Sequence, residues 1–87
     1  VAAYRVLIKA SAGKELERLG TKADRTRIVQ RIQALTDNPR PQGCEKLAGY
    51  ADRFRIRQSN FRVVYLVDDQ RHEVTIFKIG DRKDVYR

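Results

Sequence analysis

The stretch from residue 53 to residue 79 leaves this chain little choice of fold. Three strand-forming runs, 53–58, 61–67 and 73–79, are joined only by the turns QSN and DDQRH. Links this short allow no crossover, so the runs must pair as an antiparallel meander. The second and third runs are apolar on both parities: Val63, Val64, Tyr65, Leu66 and Val67 in one, Val74, Ile76, Phe77 and Ile79 in the other. Strands of that kind are covered on both faces or nearly so. The first run differs, because Phe54 and Ile56 alternate with Arg53, Arg55 and Arg57. Side chains two apart share a face of a strand, so the two apolar residues point to the core and the three arginines away from it. Arg62 opens the next run just past the turn, where it can meet them.

The N-terminal half supplies what the meander packs against. Tyr4–Ala10 (YRVLIKA) reads as a leading strand. Ser11 is expected to cap a first helix within AGKELERLG, with Leu16 and Leu19 inward and Gly20 ending it. Thr21 caps again, with Asp24 three residues on completing a reciprocal cap. A second helix runs from Lys22 to about Thr36. Ile28, Ile32 and Leu35 form its apolar stripe, Val29 widens it, and Arg25, Arg27 and Arg31 fall outside. Pro39 and Pro41 in DNPRPQG stop it. CEKLAGYAD then reads as a loop anchored by Leu47. The order strand, two helices, three strands gives an α+β fold. It is expected to be a single domain over 1–87, with a small antiparallel sheet packed on an N-terminal helical hairpin. The helices cover one sheet face and leave the other, with its arginines, open.

Charge narrows the function. A net charge of +8 on 87 residues makes a surface that attracts polyanions, above all nucleic acid or the ribosome. No helix combines a broad apolar face with a basic one, no run approaches a membrane span, and no signal peptide pattern opens the sequence; a cytoplasmic protein without membrane contact is expected. The single cysteine, Cys44, excludes an internal disulfide and fits a reducing compartment. Zinc-ligand spacing is absent from the sequence, and no metal or other cofactor is expected.

Arg53, Arg55, Arg57 and Arg62 fall within ten residues with no acid among them. An edge strand that only avoids aggregation is served by lysine and mixed charge, whereas guanidinium forks match phosphate. The tail adds Arg82, Lys83, Tyr86 and Arg87, and Lys46, just before Leu47, is a candidate RNA contact. Cleaving RNA without a metal takes a base for the 2′-OH, cations for the phosphorane and an acid for the 5′-oxygen. His72 lies at a hairpin tip, away from the arginine face. Tyr86 among arginines ionises more readily, since nearby positive charge favours a phenolate. Asp68 and Asp69 have a turn role, and Asp81 and Asp84 sit among basic neighbours that would pair with them. Cys44 has no histidine nearby in sequence to activate it.

KLAGYADRFRIRQSNFRVVYLVDD followed by VTIFKIGDRKDVYR closely resembles the RelE toxins of bacterial toxin–antitoxin pairs, within the RelE/ParE superfamily. The specific parts are the basic pair at alternate strand positions, the FRVVY strand and the closing IGxRxxVY pattern. The helical hairpin and leading strand fit as well. The resemblance implies a fold like that of microbial ribonucleases. It also implies a ribosome-dependent mRNA endoribonuclease that cuts in the A site by 2′-OH attack without metal, halting translation. Carried over by motif, Arg55 and Arg57 are the basic pair, Arg62 the arginine opening the next strand, and Arg82 and Tyr86 the tail pair. Arg55 and Tyr86 are thereby linked to activating the 2′-OH, Arg82 to protonating the leaving oxygen, and the other cations to the phosphorane. Arg53, Lys46 and Lys83 are further RNA contacts. Arginine stands at 55 and 57 where some members carry lysine, which shifts the base role toward Tyr86. Asp81 stands where many carry histidine. The implied partners are a RelB-like antitoxin, the ribosome with its mRNA, and operator DNA only through the antitoxin complex. Free toxin is expected to be monomeric, since a stripe of like charge discourages self-association. A ParE-like inhibitor of DNA gyrase that cleaves nothing shares the fold, so fold does not choose between them. The set Arg55, Arg57, Arg62, Arg82 and Tyr86 is what RNA cleavage requires together. A basic nucleic-acid-binding module without toxicity is the third reading.

Overall fold

The computed structural model describes residues 3–81. In chain order the elements are β1 (Arg5–Ile8), α1 (Ala10–Glu17), α2 (Lys22–Ala34), β2 (Glu45–Lys46), β3 (Arg53–Gln58), β4 (Phe61–Asp68) and β5 (Glu73–Asp81). Among the described residues the strands form one sheet in the order β1-β5-β4-β3-β2. The β3–β4–β5 meander is antiparallel as its short turns require. Two features go beyond the sequence expectation. β1 joins β5 in parallel, which makes the sheet mixed, and the stretch read as a loop contributes a two-residue strand, β2, antiparallel to β3.

The meander forms because its turns are tight and its apolar residues alternate where they must. Gln58 and Phe61 are paired across the ladder, leaving Ser59 and Asn60 as the whole β3–β4 turn. The Asp68 carboxylate accepts the Gln70 and Arg71 amides, organising the β4–β5 turn. Phe54, Ile56, Val63, Tyr65, Val67, Val74, Ile76 and Ile79 join Ile28, Ile32, Leu35 and Ala12 in one buried cluster. Each fully buried isoleucine contributes about 2 kcal/mol from apolar burial. The Tyr65 phenol, fully buried, donates to the Pro39 carbonyl at 2.7 Å, so its polar end is not stranded.

The helices enter as the sheet dictates. The Lys9 amide still bonds to the Ile76 carbonyl, and the chain turns helical at the next residue. Lys9 is therefore the N-cap, and Ser11, expected to cap, lies inside α1. Past Ile76, β5 has lost β1 as a neighbour, and α1 takes over that edge. Glu15 accepts the Ile79 amide at 3.1 Å and meets the Lys78 ammonium at 3.3 Å. The reciprocal Thr21–Asp24 cap opens α2 as expected. Val29 does not widen the stripe: it is exposed, because α2 meets the sheet along the narrow line of Ile28, Ile32 and Leu35. Among the described residues no helix is long and apolar enough to cross a membrane.

Candidate functional site

β3 sends its arginines to the face opposite the helices, as alternation demands. Phe54 and Ile56 are buried in the core, Arg53 and Arg55 are half-buried and Arg57 is exposed. Arg57 lies directly across the ladder from Arg62, with Arg55 opposite Val64 and Arg53 opposite Leu66. Directly opposed residues share a face, with Cβ atoms about 5 Å apart, and like charges so placed destabilise a sheet. Next to Arg62 on its other side stands Gly80, which has no side chain to compete for the space. Arg62 is only 2% exposed. A guanidinium is costly to bury, so the fold must compensate the charge it holds there.

A carboxylate faces this cluster that the sequence did not announce. Glu45 in β2 pairs across the ladder with Arg55 and takes a hydrogen bond from its Nη2 at 2.8 Å. That bond, then the charges of Arg55, Arg57 and Arg62, hold its carboxyl below the usual range. The field of all three arginines therefore converges at one spot on the open face, where an anionic group is stabilised. Ten positions separate Glu45 from Arg55, and nothing in CEKLAGYAD marks a two-residue strand, so the signal was invisible. Lys46 follows the opposite parity. It lies across from Phe54, on the side away from the arginines, because neighbours in a strand point to opposite faces. Lys46, expected as an RNA contact, thus stands off the arginine face.

The periphery of the site is also defined. Arg31 of α2 donates to the Arg57 carbonyl at 3.3 Å, reaching β3 past the end of β2. The Arg53 guanidinium lies over the Tyr50 ring at 4.2 Å and over the Phe77 ring at 4.9 Å from the centroids. His72 is occupied elsewhere: its ring packs edge-on against Tyr4 and its carbonyl accepts the Arg5 amide. Asp69 is held by the Arg40 fork and by the Tyr4 hydroxyl, and Asp68 by its turn, which agrees with their reading as structural acids. Asp81 pairs with Phe61 at the end of β5. Arg82, Lys83 and Tyr86 lie outside the described residues.

The chain matches the family described as ParE toxin of type II toxin-antitoxin system, parDE, over residues 6–86. A protein named Toxin RelE from Mycobacterium tuberculosis is 32% identical over 84 residues, covering 97% of this chain and 87% of its own. This chain therefore belongs to the RelE/ParE family of type II toxins. The RelE–RelB complex of Pyrococcus horikoshii shares the RelE fold with a TM-score of 0.83 at 30% identity, covering 94% of this chain and 98% of that one. The intact RelBE toxin–antitoxin complex of Escherichia coli gives 0.76 at 30% identity, covering 91% and 96%. The RelE fold thus accounts for the two helices packed on one face of the sheet.

Proposed function

We propose that this toxin is an mRNA endoribonuclease that acts in the ribosomal A site and stops translation by cutting the codon there. The observation that carries the reading is the arginine cluster: Arg57 and Arg62 opposed across the ladder, with Arg55 two residues along the same face. In this reading the 2′-OH loses its proton to a base and attacks the neighbouring phosphorus. The five-coordinate phosphorane then breaks toward the 5′-oxygen, which leaves protonated. Arg55, Arg57 and Arg62 stabilise the phosphorane's added negative charge. Arg62 does so through its field, from a buried position where solvent screens least. Arginine stays protonated at neutral pH and is no base, so the reading gives the base role to Tyr86; the role of Arg82 in protonating the leaving oxygen rests on the family resemblance alone.

The solved relatives from Pyrococcus horikoshii and Escherichia coli are complexes with antitoxins. By that likeness this toxin has a cognate RelB-like antitoxin, whose acidic or amphipathic segment covers the basic face. Operator DNA is bound only through that complex, and the toxin acts in the cytoplasm, where its ribosomal target is.

The deciding experiment is expression in a translating extract with primer extension of the mRNA. Codon-spaced ends that vanish when ribosomes are removed support the reading. The matched family is described by its ParE members, and that favours a second reading, a gyrase inhibitor that leaves RNA intact. Intact mRNA together with inhibited supercoiling by purified gyrase would establish it instead.

A further inference from the structure

We propose that Tyr50, Arg53 and Phe77 form a stacking site for a nucleobase of single-stranded RNA, beside the nucleotide whose phosphate meets Arg57 and Arg62. The proposal rests on the RNA-cleavage reading above and extends it to substrate positioning.

The three side chains form one cluster, with the Arg53 guanidinium over both rings at 4.2 and 4.9 Å from their centroids. Each is held by backbone. Tyr50 sits in the turn before β3, with its amide bonded to the Leu47 carbonyl. The Leu47 amide bonds to the Arg53 carbonyl, and the Val67 amide bonds to the Asp52 carbonyl. Phe77 arrives through an irregularity. Val64 pairs with Lys78 but Tyr65 pairs with Ile76, so Phe77 is the extra residue of a bulge in β5. Bulges re-aim side chains, and this one brings an aromatic ring to the arginine face.

The cluster is only partly used by the protein itself. Tyr50 is 47% exposed although one ring face is taken by Arg53, which leaves aromatic surface open for stacking. An aromatic kept only for packing is normally buried, and a solvated turn has no need of one. Arg53 also differs from Arg55, Arg57 and Arg62 in its two close aromatic neighbours, which suit a cation–π contact more than a phosphate fork. Basic groove plus exposed aromatic is the combination that holds single strands, the cations on the backbone and the rings on bases. Arg53 is four residues along β3 from Arg57, a span of about 13 Å. That is too far for the same phosphate group and close enough for a neighbouring nucleotide.

The test is fluorescence anisotropy with a labelled hexaadenylate at fixed salt. Tyr50→Ala is expected to weaken binding about tenfold, and Tyr50→Phe, which keeps the ring, to bind as the wild type does. The same oligomer made abasic offers phosphates without bases and should bind the wild type and Tyr50→Ala alike. Equal affinity of the wild type and Tyr50→Ala for hexaadenylate, with Arg57→Ala still weakening it, overturns the stacking site and leaves RNA binding standing. Equal weakening of Tyr50→Ala toward both oligomers overturns it too, by showing a general disturbance of the loop. A loss seen only with a glutamate-rich peptide assigns the surface to a protein partner. Failure of the wild type to bind hexaadenylate overturns the site alone, since the cleavage reading stands or falls on the ribosome-dependent mRNA ends above.

Discussion

Glu45 faces Arg55 across the β2–β3 ladder and holds its guanidinium through a 2.8 Å charge-assisted bond. The charges of Arg57 and Arg62 also favour the ionised form of Glu45, and these are the cations that the RNA-cleavage reading assigns to phosphate. The Glu45 side chain is 46% exposed, so a phosphate can displace it without opening the core. Glu45→Gln is expected to tighten RNA binding and to make the slope of log affinity against log salt steeper by about one, since one more cation is then available to the phosphates. Stability should change little, because an exposed pair contributes little. Unchanged affinity and slope would show that Glu45 does not compete for the site.

Arg62 calls for a substitution that separates charge from packing. It is buried, so alanine would leave a hole as well as remove a cation. Arg62→Met keeps most of the volume while removing the charge. The expected result is a protein that still unfolds cooperatively in urea, with cleavage reduced by at least about 100-fold, the usual cost of removing one preorganised electrostatic contact. Exposed Arg57→Ala should show a loss of activity with no loss of stability. Full activity of Arg62→Met would remove Arg62 from the mechanism.

How far these residues were legible follows from the range of the interaction involved. The Phe54/Ile56 alternation and the Thr21–Asp24 cap are local, and both read correctly from neighbouring letters. The face of Arg53, Arg55 and Arg57 follows from the same alternation. The face of Lys46 was not legible, because it depends on a two-residue strand that exists only through pairing with β3. Phe77 reads as one more apolar residue of β5, since a bulge leaves no mark in a run that is apolar on both parities. β1 pairs with β5 across 68 positions, from Arg5 to Glu73, and a parallel partner that remote has no local signature. Exposed Val29 shows the reverse limit: helical periodicity gave its angle, but not the width of the surface that α2 meets.

Stability should fall at both ends of the pH scale. The Arg40 fork and then Tyr4 hold Asp69 below its ordinary range, Thr21 does so for Asp24, and Arg55 for Glu45. A depressed carboxyl stabilises the fold above its unfolded value, about 4, and that contribution is lost as pH falls through the folded one. Tyr4 is raised mainly by its bond to Asp69 and Tyr65 mainly by burial. Raised phenols stabilise below their unfolded value, about 10, and the contribution is lost as pH rises through the folded one. Urea midpoints across pH should therefore show a plateau with an acid and an alkaline limb. Asp69→Asn should flatten the acid limb; an unaltered limb would mean that the Arg40–Asp69–Tyr4 cluster does not couple to folding.

Ser59 is a site where the native residue is not the best one. It lies in the two-residue β3–β4 turn with φ of 57°, a left-handed conformation that costs a residue with Cβ about 1–2 kcal/mol. Glycine adopts it freely but loses more chain entropy on folding, about 0.5–1 kcal/mol. Ser59→Gly should therefore gain about 0.5–1 kcal/mol, seen as a Tm rise of a few degrees. A drop would show that the serine side chain contributes more to the turn than its backbone strain removes.

Gly20 is the opposite case, a left-handed residue with no room for anything larger. Its φ is +46°, and an added Cβ would lie 2.6 Å from Asp24 Oδ2 and 2.8 Å from Phe61 Cζ. That same Oδ2 accepts the Thr21 amide and the Thr21 hydroxyl, each at 3.0 Å, so it cannot retreat without opening the cap of α2. Phe61 packs against the core cluster and is paired on both sides, with Gln58 and with Asp81. Gly20→Ala should thus combine backbone strain of about 1–2 kcal/mol with the loss of a cap worth about 1 kcal/mol, for a total near 2–3 kcal/mol by urea unfolding. Pairing it with Asp24→Ala separates the two contributions. In that background the carboxylate is already gone, so Gly20→Ala should cost about 1 kcal/mol less than in the wild type. Strict additivity of the two substitutions would mean that the methyl group and the capping carboxylate do not compete for the same space.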